Sequence, residues 1–150
     1  MSNAVPNSWK VMLMKGQSAG LTDTFKLILM QPGFVFNKDT MHAYADVLSF
    51  ELPTANGYTV GGVTLSGVAI TVNNTNDSAD MTWSNVTITA SGGSLLLSGA
   101  IIYNDSTATG SGDDYTDAIT SYKDAGGTIT IADGTPLVIS SIGDILGDKI

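Results

Sequence analysis

Leu95-Leu96-Leu97-Ser98-Gly99-Ala100-Ile101-Ile102-Tyr103 is the stretch on which the fold turns. It is a nearly continuous apolar run, bounded by the turn-forming Ser91-Gly92-Gly93-Ser94 before it and by Asn104-Asp105 after it. A run of this length between turn signals reads as a central β-strand. It is too short to span a membrane, which takes roughly 20 apolar residues, and Ser98 and Gly99 interrupt it. The neighbouring segments agree. Thr128-Ile129-Thr130-Ile131 alternates at period two, and Leu137-Val138-Ile139 follows Pro136 as a further short strand.

Toward the N-terminus, Phe25 to Met30 reads as a strand that stops at Gln31-Pro32-Gly33. Trp9-Lys10-Val11-Met12-Leu13 also alternates, with Trp9, Val11 and Leu13 on one face, so these two segments are expected to pair as a hairpin. The single helix candidate lies between Lys38 and Leu52, where Asp39 or Thr40 can cap and Met41, Tyr44, Ala45 and Leu48 fall at helical spacing. From Thr54 onward only strand and turn patterns occur. Val63 and Leu65 are out of phase with Val68, Ile70 and Val72, the change falling at Ser66-Gly67. Met81 and Trp83 are likewise out of phase with Val86 and Ile88, the change falling at Ser84-Asn85. A one-residue phase change marks a bulge, a corner or a tight turn, because otherwise the apolar side chains would rotate into solvent. Short strands at intervals of about ten residues predict an all-β chain. The expected form is an antiparallel β-sandwich, Ig-like or jelly-roll-like, with at most one short helix. The 150 residues are expected to form one domain, with contact arms at 1–8 and 142–150.

Composition narrows the function. There is no cysteine, so neither disulfides nor thiolate metal sites are available. Charged residues are 13% of the chain, about half the usual soluble share, which suggests that part of the surface is covered by partners. Residues 1–38 carry Lys10, Lys15, Lys26 and Lys38 against Asp23, while residues 39–150 carry thirteen acids against Lys123 and Lys149. Arginine is absent and the net charge is −8, which argues against nucleic acid as a partner. The opening residues do not form a secretory signal: no basic residue precedes Lys10, and Val11 to Met14 is too short an apolar core.

Catalytic residues are few. His42 is the only histidine, Glu51 the only glutamate, and no G-x-S-x-G motif occurs. The chain is read as a non-enzyme with no cofactor and no metal. Asp105, Asp113, Asp114 and Asp117 in the acidic loop Asn104–Asp117 offer hard oxygen ligands, but their spacing does not fit a calcium loop and a solvated hairpin loop explains them better. Four sequons, beginning at Asn73, Asn76, Asn85 and Asn104, are taken as accidents of a Thr- and Asn-rich composition.

Several phrases carry a resemblance: "NAVPNSWKVMLMKG", "DTFKLILM", "YADVLSFELPTANGYTVGGVTLSG", "DMTWSNVTITASGGS" and "GAIIYND", in that order over about residues 2–105. The chain resembles small virion structural proteins of tailed bacteriophages, of the decoration or auxiliary type. The resemblance implies a capsid decoration (cement) protein that binds the outer capsid and stabilises capsomer junctions. Its partners would be the major capsid protein and further copies of itself, a trimer at local three-fold axes being one arrangement. It implies residence in a virion assembled in the host cytoplasm and released by lysis, which needs neither signal peptide nor membrane. A tail, neck or tail-tip position in the same virion is the alternative. A receptor- or glycan-binding β module that stacks sugars on Tyr58, Trp83 or Tyr103 is an alternative of another class. The candidate partner contacts are Val5, Trp9, Val11 and Leu13 near one end and Ile142, Ile145 and Ile150 near the other; for Trp9, Val11 and Leu13 the competing reading is that they line the core.

Overall fold

The computed structural model describes residues 4–14, 23–75, 78–105 and 115–141. The chain is all-β, with antiparallel sheets packed as a sandwich. In chain order come helix α1 (Asn7–Met14), strand β1 (Phe25–Met30), a single helical turn α2 (Tyr44–Val47) continued as a 3-10 turn (Leu48–Phe50), then β2 (Val63–Thr64), β3 (Ala69–Asn73), β4 (Ser78–Thr82), β5 (Val86–Thr89), β6 (Leu95–Asn104), β7 (Ile119–Ile131) and β8 (Pro136–Ile139). The main sheet has the order β2-β1-β6-β7, and two ribbons, β3-β4 and β5-β8, complete the set.

The apolar run around Leu95–Tyr103 is a central strand, β6, paired with β1 on one side and β7 on the other. Both faces of the main sheet are covered, which explains why β1 and β6 are apolar at nearly every position. On one face, Phe25, Leu27, Leu29, Leu95, Leu97, Ala100 and Ile102 meet Met81, Trp83, Val86, Ile88 and Leu137 from the ribbons. On the other face, Ile28, Met30, Ile101, Tyr103, Ile119 and Tyr122 are covered by Phe34, Phe36 and Val47 from the segment that follows β1. The aromatic rings there pack closely: Phe36 stacks on Tyr122 at 5.2 Å between centroids, and Tyr44 on Tyr103 at 4.7 Å.

β6 contains a phase change of its own. Leu95 and Leu97 face the larger core, and beyond Ser98-Gly99 so do Ala100 and Ile102. The partner strand absorbs this change: Leu97 pairs with Ile129 and Gly99 with Asp124, so a five-residue step on β7 lies opposite a two-residue step on β6. Gly126, at φ +76°, lies in the extra loop of chain. Gly99 is required by space, because a Cβ there would lie 2.5 Å from the Lys123 carbonyl oxygen and 2.7 Å from the Tyr122 ring. The buried Ser98 hydroxyl is satisfied by donating to the Gln31 carbonyl at 2.7 Å.

The two phase changes expected at Ser66-Gly67 and Ser84-Asn85 are corners where the chain leaves one sheet for another. The first separates β2 in the main sheet from β3, and the second separates β4 from β5. They lie side by side, the Ser84 amide donating to the Ser66 carbonyl at 2.8 Å. Pairing one corner with the other keeps their backbone groups hydrogen-bonded while both strands change direction.

Two expectations are corrected. Trp9 to Leu13 is helical and does not pair with β1, whose neighbours are β2 and β6. Val5, Trp9 and Met12, spaced by four and three residues, are the buried positions, while Val11 is exposed. Five residues fit either period, and Leu, Met and Lys favour helix once Trp9 and Met12 have a core to enter. In the second segment the helical turn forms later than the predicted cap. Asp46 does the capping from inside, its Oδ2 accepting the amides of His42 at 2.8 Å and Ala43 at 3.0 Å. The buried residue is Val47, and Ala45 and Leu48 face outward.

Candidate functional site

Three groups of side chains could carry function: a buried polar cluster at Glu51, a serine–histidine pair, and the apolar side chains left on the surface. Glu51 is 3% exposed. Residues 50–52 run beside the second half of β1, where Met30 bridges Glu51 and the Leu52 amide donates to the Leu29 carbonyl at 2.8 Å. This turns the carboxylate inward. Its Oε2 accepts the Tyr44 hydroxyl at 2.5 Å, and its Oε1 accepts the Tyr58 hydroxyl at 2.6 Å and the Gly61 amide at 2.8 Å. Burial first, then the bond to Glu51, pushes the ionisation of both phenols far above the ordinary tyrosine range, so they remain donors. The carboxylate is buried and accepts three internal hydrogen bonds, and the cluster ties the loop before β2 to the main sheet.

The structure brings His42 to Ser8, with His42 Nδ1 3.1 Å from Ser8 Oγ. The imidazole also packs on Tyr115 at 4.9 Å. A nucleophilic relay needs a third group to orient the histidine ring. Asp46, the near carboxylate, is engaged with backbone amides instead. Among the described residues no cluster of three or more metal-ligating side chains occurs. Asp105 is paired with Lys26 at 2.8 Å, and Asp113 and Asp114 lie outside the described residues. A groove of about 340 Å³ is lined by Leu52, Pro53, Leu95, Leu96 and the amide side chains Gln31 and Asn56. Both amides are committed, Gln31 donating to the Glu51 carbonyl at 2.8 Å and Asn56 to the Ser94 carbonyl at 2.9 Å.

Asp117 is held at φ +54°, and burial, then the charge of Asp105, raises its carboxyl above the ordinary range, with Lys26 opposing. A carboxyl raised in the folded state contributes stability that is complete below the unfolded value of about 3.9 and is lost as pH climbs through the folded one. At neutral pH the carboxylate therefore costs stability. Asn also tolerates positive φ well. Asp117→Asn is expected to stabilise the chain by about 0.5 kcal/mol at pH 7, the scale of a surface substitution. The gain should shrink below pH about 4. Thermal melts at both pH values check this.

The sequence-derived contact residues are dispersed. Val5 and Trp9 are buried in the larger core, at 2% and 4% exposure, and so are not available to a partner in this fold. Val11 is on the surface, and the Leu13 side chain, Ile142, Ile145 and Ile150 lie outside the described residues. Tyr58, Trp83 and Tyr103 are all buried, so their faces cannot stack on a sugar. What the surface does present is a scatter of apolar side chains: Met14, Val35, Leu96, Val138 and, on β3, Ile70 and Val72. The β3 residues were legible in the sequence as an alternating strand, but their alternation gave no sign that Ile70 and Val72 would stay exposed. Comparison with protein families, curated proteins and solved structures finds no match to this chain.

Proposed function

We propose that the chain is a non-enzymatic structural protein of a tailed-phage virion, a decoration protein that binds the outer capsid and stabilises capsomer junctions. The observation that carries this reading is the contrast between a closed polar interior and an open apolar surface. The Glu51 carboxylate is consumed by internal hydrogen bonds, whereas Met14 is 81% and Val72 78% exposed. In a chain with only 13% charged residues, such side chains gain by burial against neighbours in an assembly. The ordered phrases over residues 2–105 supply the kind of assembly.

The test is copy number in purified virions of the phage that encodes the chain, by quantitative mass spectrometry against the major capsid protein. Hundreds of copies per particle are expected. A few to a few tens would move the protein to the neck or tail tip, and absence from the particle would end the virion reading.

A further inference from the structure

We propose that two copies of this chain associate edge to edge through β3, antiparallel, about a two-fold axis passing at Thr71. The proposal does not depend on the virion reading. Among the described residues β3 pairs with β4 on one side and with no strand on the other. Open edges of natural sheets are normally blunted by lysine, proline, an inward charge or a bulge. Ala69-Ile70-Thr71-Val72-Asn73 has none of these, and its five consecutive pairs with β4 run without a register shift. It is a regular, uncharged edge whose three middle residues are β-branched.

Charge selects the occupant. The chain carries a net −8, yet residues 52–76 contain no charged side chain at all. Two identical acidic molecules approach with least repulsion where charge is sparsest, and β3 lies inside that window. Asp80, which pairs with Thr71 on β4, would stand three strand spacings, about 14 Å, from its copy, beyond the Debye length of about 8 Å. A basic partner would gain no attraction from the same strip. The strand is also self-complementary about its middle residue. With Thr71 opposite Thr71 of the second copy, Ile70 faces Val72 and Val72 faces Ile70, giving two apolar cross-strand pairs on one face. Direct pairing of Ile70 with the buried Met81 places both outer residues on the face that enters the core, so the new pairs extend that core past the edge of the monomer. They cover Ile70 and Val72, which are 46% and 78% exposed in the single chain. The two-stranded ribbon, marginal alone, becomes the half of a four-stranded sheet.

Because the chain has no cysteine, a single introduced one reports on a single position. Directly opposed residues of an antiparallel pair have Cα atoms about 4.5–5.5 Å apart, within the range a disulfide accepts. Thr71→Cys is therefore expected to form a disulfide dimer under mild oxidation, and Asn73→Cys, offset from its own copy, is not. Sedimentation of the unmodified chain should show a species of about 31 kDa, twice the 15.5 kDa chain. Val72→Lys, at an exposed position, should keep the circular dichroism of the fold, weaken association at least tenfold and abolish cross-linking of Thr71→Cys. A chain that stays monomeric up to roughly 100 µM, where weak dimers form, would overturn the proposal. So would Asn73→Cys cross-linking as readily as Thr71→Cys, or an assembly larger than two that survives Val72→Lys.

Discussion

Glu51→Ala is expected to remove a large share of the stability of this chain. The substitution leaves the Tyr44 and Tyr58 hydroxyls and the Gly61 amide without the acceptor they share. A buried donor stripped of its partner costs about 1–3 kcal/mol. Tyr44 lies nearest solvent and can recover part of its loss in water, so the total comes to about 3–6 kcal/mol against a typical reserve of about 5–15. Glu51→Gln keeps an acceptor oxygen and should cost about 1–2 kcal/mol, since each phenol can donate to the carbonyl or accept from the amide. Urea unfolding of the two variants reads the difference directly. If Glu51→Ala unfolds within 1 kcal/mol of the parent (about one neutral hydrogen bond), the carboxylate is not what fastens the loop between residues 51 and 62 to the sheet.

Deletion of residues 1–8 is expected to be nearly as damaging. The sequence alone suggests an arm that could be removed while the domain stays folded. In the structure the segment from Ala4 is part of the domain. Ala4 and Tyr122 exchange two backbone hydrogen bonds, at 3.1 and 2.8 Å, which pairs the chain start with the β7 edge. Val5 is buried in the larger core, and Asn7 donates through its side chain to Asp39 at 2.6 Å. Loss of a buried valine costs about 1.5–3 kcal/mol, and two edge hydrogen bonds add about 0.5–1.5 each. The expected total is about 2.5–6 kcal/mol, seen as a lower midpoint in thermal or urea unfolding. Val5→Ala isolates the packing part and should cost about 1–3 kcal/mol. A truncated chain with an unchanged midpoint would restore the free-arm reading.

Both predictions concern residues whose importance a linear reading misjudges. Glu51 is conspicuous only as the sole glutamate, and nothing near it in sequence announces two tyrosines seven residues away on either side converging on one carboxylate. His42 and Ser8, 34 positions apart, meet only because α1 packs against the loop that carries Lys38 and Asp39. Trp83, whose alternating strand suggested either core or a stacking surface, is core, with the Lys123 ammonium 5.5 Å from its ring centre.

The sequence by itself determined the all-β class, the central position of Leu95–Tyr103, the strands at Phe25–Met30 and Leu137–Ile139, and the places of the two phase changes at Ser66-Gly67 and Ser84-Asn85, which the structure makes corners. These are local facts: an apolar period, a proline or glycine, or a phase change constrains the few residues around it whatever the rest of the chain does. Tertiary structure alone decided that Trp9–Leu13 is helix, that the phase change on β6 is matched by a five-residue step on β7, and that Glu51 is buried while Ile70 and Val72 stay exposed. Periodicity shows which side chains share a face. Which face is covered depends on what the rest of the chain can bring to it, and that depends on contacts between residues tens of positions apart.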